Sequence, residues 1–404
     1  MAAFDIVTLL LLALALFSFI NARFVKLPPI IAFTLGSLGL AGILLILQWA
    51  GLRYFDWVVH LIAEVDFSAT VLYGILSFLL FAGSLQLDIR KLAEQKWVIF
   101  TLATFGVVLS TFIVGTAMFY IFAALSIPVP YIYSLLFGAL ISPTDPVIVI
   151  GLLKKAKIPS SLKAKVMGEA LFNDGIAIVL FVVLLTVATF GGEINPSGVL
   201  LLLVRQLLGS AFLGLAAGWI TYQLLAQVKK PSVQIMISVG LVAGGYDLAT
   251  VLGISGPITV VIMGLIVRNY RDKPFGELYA FWNLMDEFLN GALFILMGLQ
   301  LLALPFTGPY LVAAVAAIPV VLIGRYLSVL LPIALFRPFR SFTKNVVLFL
   351  TWVGLRGGVS LALALSLPGN PINHALWSAT FFVVIFSTIV QGLSFRSYVT
   401  SRGF

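Results

Sequence analysis

The chain has no cysteine and only two histidines, His60 and His374, far apart in sequence. That excludes a disulfide framework and a Cys/His transition-metal centre. Charge is scarce too: 10% of the 404 residues are charged, where a soluble globular protein carries about 25%. Gly-x-Ser-x-Gly, His-Glu-x-x-His and a glycine-rich loop ending in Gly-Lys-Ser/Thr are all missing. The sequence therefore carries no enzyme signature and no nucleotide site for ATP-driven transport, and no cofactor is expected. The net charge of +9 would suggest nucleic acid in a soluble protein. Here the basic residues fall in short loops between apolar runs, which fits the positive-inside bias of membrane proteins and implies no nucleic-acid partner.

What the chain has in excess is hydrophobic residues, 61% of the total. Runs of about 17–25 apolar residues suit membrane-crossing helices, and the sequence predicts thirteen, partnered by membrane lipid. They lie near 6–21, 29–50, 68–86, 97–123, 131–152, 166–189, 198–226, 232–251, 255–267, 278–302, 310–336, 345–367 and 372–395. Residues 5–21 look like a signal peptide but lack its basic n-region and are followed at once by further spans, so they are read as the first span. Loops after odd-numbered spans hold 20 of the 24 Lys and Arg, whereas loops after even-numbered spans hold Arg53 alone. Arg205, Arg325 and Arg356 fall inside spans. This alternation predicts a cytoplasmic C-terminus and an external N-terminus. Residues 1–404 are expected to form one transmembrane domain without a soluble regulatory domain. Taking the seventh span as a connector (198–226) leaves two six-span sets, 6–189 and 232–395, that start in opposite directions. That is an inverted repeat.

The fifth member of each set is interrupted. The fifth span carries Ser142-Pro143-Thr144-Asp145-Pro146, and the twelfth carries Gly354-Leu355-Arg356-Gly357-Gly358. Proline removes a backbone donor and glycine weakens a helix, so both spans should break in mid-membrane. Matched interruptions in corresponding spans point to a transport site. Close by in sequence is Gly168-Glu169-Ala170-Leu171-Phe172-Asn173-Asp174. A charged side chain at bilayer depth costs about 2.5–3.5 kcal/mol on insertion scales, which makes each such residue a functional candidate. Asp174 falls roughly 13 Å into the sixth span, counted from Lys165 at 1.5 Å per residue. Glu169, five residues earlier, is rotated by about 140° and cannot share a narrow face with it. A buried Glu169 needs a cation, and Arg325 is preferred over Arg356 as its structural partner. Thr144 and Asp145 sit at the break, where freed carbonyls suit a small hard cation; Asp145 can equally offset freed amides and a half-helix dipole. Arg356 offsets half-helix dipoles or nearby carboxylates. Asp286, Glu287 and Asp247 are weaker signals, read as helix contacts or a subunit interface.

These stretches, together with Ser255-Gly256-Pro257, Gly324-Arg325 and Trp352-Val353 ahead of the glycine cluster, resemble those of NhaP-type sodium/proton antiporters, the branch that includes the animal sodium/proton exchangers. The resemblance implies an all-α fold of thirteen helices in a homodimer, set in a prokaryotic cell membrane. Spans four to six and eleven to thirteen would form a transport bundle. It further implies that Asp174 binds the proton and the transported Na+, with Asn173 as its structural neighbour. Thr144 would contribute at the crossed broken helices, and Glu169 with Arg325 would be a stabilising ion pair. Two positions depart from the family. Ala170 stands where serine is common, and Ala82 where some relatives place a glutamate.

The function these readings predict is exchange of Na+, or Li+, for H+ by alternating access. Desolvation disfavours a charged carboxylate and a cation favours it, so the two cargoes exclude each other. An Asn-Asp pair in place of two aspartates implies, through the resemblance, electroneutral exchange. A K+/H+ antiporter is the alternative, and a cation channel using the same acids is a rival of another class.

Overall fold

The computed structural model describes residues 2–51, 57, 59, 62, 65–145, 149, 158–190, 196–269, 276–304, 308–338, 342 and 345–402. His60, Pro146 and the basic loop residues Arg53, Lys154, Lys155, Lys157, Arg271, Lys273, Arg340 and Lys344 lie outside these. All regular structure among the described residues is helical. Ten helices are long and apolar enough to cross a membrane by themselves. The pair Val346–Val353 and Gly358–Leu365, bent by 53°, forms an eleventh span. Two shorter apolar helices, Tyr131–Ile141 and Gly256–Asn269, take the places of the fifth and ninth. Thirteen membrane elements thus stand where thirteen were expected.

Their limits follow the apolar runs to within a few residues, with informative exceptions. The sixth helix begins at Ser160 and not at 166. Helical hydrogen bonding continues past the bilayer core, and Lys165 in its first turns stays 8% exposed with its Nζ 5.0 Å from the centre of the Phe342 ring. The fifth helix stops at Ile141, ahead of the proline pair, because Pro143 has no N–H to offer the turn before it. At 11 residues it is about 16 Å long, half of a hydrocarbon core of about 30 Å. Four wide π-helical turns, which the sequence did not reveal, interrupt Asn21–Val25, Thr70–Ile75, Leu102–Gly106 and Ser387–Gln391.

Two groups of helices result. In one, the fourth span packs on the fifth and eleventh, the fifth on the sixth, and the thirteenth on the eleventh and on the second half of the twelfth. Gly138 in the fifth span sits where any Cβ would run into the Thr111 carbonyl, so the fourth and fifth backbones touch. In the other group the ninth span packs on the third, seventh and eighth, and the tenth on the second and third. The groups meet where the third and ninth spans face the sixth and the twelfth.

Candidate functional site

The two breaks cross each other. The Asp145 N–H donates to the Leu355 carbonyl at 2.7 Å, joining the interruption of the fifth span to that of the twelfth. Beyond the break, the Val149 N–H reaches the Asp145 carbonyl at 3.4 Å. Arg356 closes the crossing from the other side. Its Nη1 donates to the Pro143 carbonyl at 2.8 Å and to the Ser142 carbonyl, just past the end of the fifth helix. Its own N–H donates to the Ser387 hydroxyl at 2.8 Å, in the π-helical turn of the thirteenth span. A guanidinium on half-helix carbonyls is favourable because those carbonyls carry the negative end of the dipole.

The sixth span supplies the acids. Asp174 is 1% exposed, Glu169 2% and Asn173 fully buried. Asn173 Nδ2 donates to the Thr144 hydroxyl at 2.7 Å, fixing the sixth span to the break of the fifth. Glu169, on a different face as its spacing requires, accepts from Arg325 Nη1 at 2.5 Å. Arg325 also donates through Nη2 to the Leu350 carbonyl at 3.1 Å, so one side chain ties the sixth, eleventh and twelfth spans.

Asp174 and Asp145 line one narrow cavity, walled otherwise by Val71, Ile75, Leu76, Leu79, Leu80, Leu293 and Val359. Asp174 Oδ2 and Asn173 Oδ1 are buried oxygens with no hydrogen-bond partner among the described residues. Such oxygens are available to a proton or a small hard cation. Thr144 and Asn173 meet each other and are not on that wall, nor are Ala82 and Ala170, both buried. Of the weaker candidates, Asp286 accepts from Asn290 on its own helix at 3.0 Å, while Asp247 and Glu287 are exposed.

Gly357 is part of the crossing: a Cβ there would fall on the Asp145 carboxylate. Gly357→Ala should push that carboxylate out of place and slow transport roughly tenfold, since small misplacements at a reacting site are costly. Transport rate beside a melting curve checks this; a fast variant would show that Asp145's position is immaterial.

A second, larger cavity of about 540 Å³, open on one side, runs between the two helix groups. Its wall includes Ile178 and Val179, one turn past Asp174, and Ser255, Gly256 and Pro257 at the start of the ninth helix. Tyr246, also on the wall, donates its hydroxyl to the Leu72 carbonyl within the π-helical turn of the third span. Neither Tyr246 nor Leu72 stands out in the sequence. Each is an ordinary apolar or aromatic position in an apolar run, and only the packing gives it a role.

A polytopic helical protein whose broken spans cross beside buried carboxylates is built as a secondary ion transporter. Comparison makes this particular. The family described as "Sodium/hydrogen exchanger, transmembrane" matches residues 8–401, and the chain belongs to it, a family of integral-membrane transporters and not of enzymes. The chain is 38% identical to the Na(+)/H(+) antiporter NhaP of Pseudomonas aeruginosa over 96% of its own length and 95% of that protein. It is 30% identical to the K(+)/H(+) antiporter NhaP2 of Shewanella oneidensis over 79% of its length and 55% of the relative's. The fold matches the sodium proton antiporter MjNhaP1 of Methanocaldococcus jannaschii at pH 8 with a TM-score of 0.74, 21% identity and 99% of each chain covered.

Proposed function

We propose that the protein exchanges Na+ or Li+ for H+, one for one, with both cargoes competing for Asp174. The observation that carries this reading is a buried Asp174 with a carboxylate oxygen unpartnered among the described residues, on a narrow cavity beside crossed helix breaks. Charge counting supports the stoichiometry. Around the crossing stand three buried carboxylates, Asp145, Glu169 and Asp174, and two guanidiniums, Arg325 and Arg356. With all five ionised the centre has a net charge of −1. One proton or one Na+ makes it neutral. An uncompensated charge is costly to move through an apolar barrier, so the bundle crosses only when loaded, and exchange follows.

In this reading Thr144 and Asn173 hold the fifth-span break against the sixth span beside Asp174, and Asp145 supplies the second negative charge. Glu169 and Arg325 are structural, and Arg356 neutralises the broken ends. Ala170 leaves a hydroxyl ligand out of the site and Ala82 leaves an acid out of it, so the cation is held by few groups. The chain forms one transmembrane domain and works as a homodimer in a prokaryotic cell membrane. The loop charge bias supports an orientation with the N-terminus and the mouth of the large cavity outside and the C-terminus in the cytoplasm.

Proteoliposomes carrying an internal pH dye, challenged with Na+, Li+ and K+ in separate runs, test this. Na+ and Li+ should drive proton movement, at a rate unaffected when valinomycin and K+ clamp the membrane potential. Equal driving by K+ would move the protein to the K+/H+ class. A steady current without a proton gradient would make it a channel.

A further inference from the structure

The large cavity, for which the competition at Asp174 assigns no charged residue, is open on one side, and Ile178 and Val179 on its wall lie one helical turn past Asp174. Its wall is mostly apolar, including Phe181, Val182 and Leu363, with neutral polar groups from Gln206, Ser255 and Ser366 among them. Among the described residues on that wall, Asp66 carries the single formal charge. It is exposed at the start of the third span, where its Oδ1 accepts from the Ala69 N–H at 2.8 Å. Arg205, the basic side chain held beside this region among the described residues, is turned to the Leu252 carbonyl at 2.8 Å and is not on the wall.

We propose that Asp66 is a cation-collecting residue: its carboxylate, at the mouth of an apolar-walled funnel, raises the concentration of the monovalent cation ahead of Asp174. A charge between low-dielectric walls has its field confined to the funnel, and such clefts concentrate counter-ions and speed their arrival. The effect acts on binding from the funnel side and leaves the crossing of the loaded bundle alone. The inference rests on the cation-exchange reading above. It assigns Asp66 a task separate from binding the cargo.

A plain helix cap is the other role open to this residue, and the two separate cleanly. Asparagine caps a helix about as well as aspartate but has no charge. Asp66→Asn should therefore melt like the wild type and keep its maximal rate within about twofold, while KM for Na+ applied on the funnel face rises about fivefold at low ionic strength. The gap should close as choline chloride shortens the screening length. KM for Na+ on the opposite face should not change. Asp66→Ala loses the cap as well and should lower the melting temperature in addition to raising KM. A wild-type KM in Asp66→Asn at low salt, or a KM that rises equally on both faces, overturns the proposal. The parent reading fails by different signs, namely no Na+-driven proton movement in the wild-type protein or normal exchange in a variant without the Asp174 charge.

Discussion

Asp174→Asn abolishes cation-driven proton movement and leaves a folded protein. Asparagine matches aspartate in size, so the cavity between the two acids keeps its shape and the neighbouring Asn173 to Thr144 hydrogen bond is untouched. What changes is charge. The five-group centre becomes neutral without cargo, a permanent imitation of the loaded state, and nothing couples its movement to ion or proton. The rate should fall by more than about a hundredfold, to the level of empty vesicles, because neither cargo has an ionisable ligand to exchange on. Asp174→Glu retains the charge but adds a methylene to a narrow, largely apolar-walled space, at a cost of about 1–3 kcal/mol in packing. It should keep measurable exchange at a reduced rate. Inside-out vesicles with a pH-sensitive dye give both numbers, and a size-exclusion profile confirms that the protein is intact. Normal exchange in Asp174→Asn removes the competition mechanism outright.

Much of this arrangement was readable in the chain. The spans could be marked because bilayer thickness sets the length of an apolar helix, and lysines and arginines alternate between loops in step with them. The two interruptions were legible because Pro143 and the glycines of Gly354 to Gly358 act locally, on their own turn of helix. That Glu169 needs a cation could be argued from burial, which left Arg325 and Arg356 on offer, and the preference for Arg325 was strengthened by the resemblance. Contacts set by tertiary packing could not be read. Nothing in Thr70–Ile75 signals a π-helical turn, for its six residues are ordinary in any span, and the turn widens where the third span packs on the twelfth and tenth. The link from the Asp145 N–H to the Leu355 carbonyl joins backbone groups, which have no sequence signature. Asp66 looked like a loop residue until the funnel was seen around it.

Breaking the Glu169–Arg325 pair from one side should be the most destabilising change in the bundle, and breaking it from both sides should be mild. Both side chains are buried, and Arg325 serves Glu169 and the Leu350 carbonyl together. Removing either partner leaves a buried charge without its counter-ion, at a cost of about 3–5 kcal/mol. Replacing both by neutral groups of similar size, Glu169→Gln with Arg325→Met, removes the unpaired charge and should recover most of that loss. Arg325→Lys is not a conservative change, because a single ammonium cannot fork between a carboxylate and a carbonyl on different helices. Melting curves of the two single variants and the double variant give the coupling energy, expected at about 1–3 kcal/mol. Glu169→Gln melting like the wild type would show the pair to be dispensable. Transport carries the argument further, because the pair is neutral as a unit. Removing both members leaves the centre at −1 when empty and 0 when loaded, whereas Glu169→Gln alone makes it 0 and +1, and Arg325→Met alone −2 and −1. If neutrality of the loaded centre is what permits the crossing, the double variant transports better than either single variant, and does so even at temperatures where all three are fully folded.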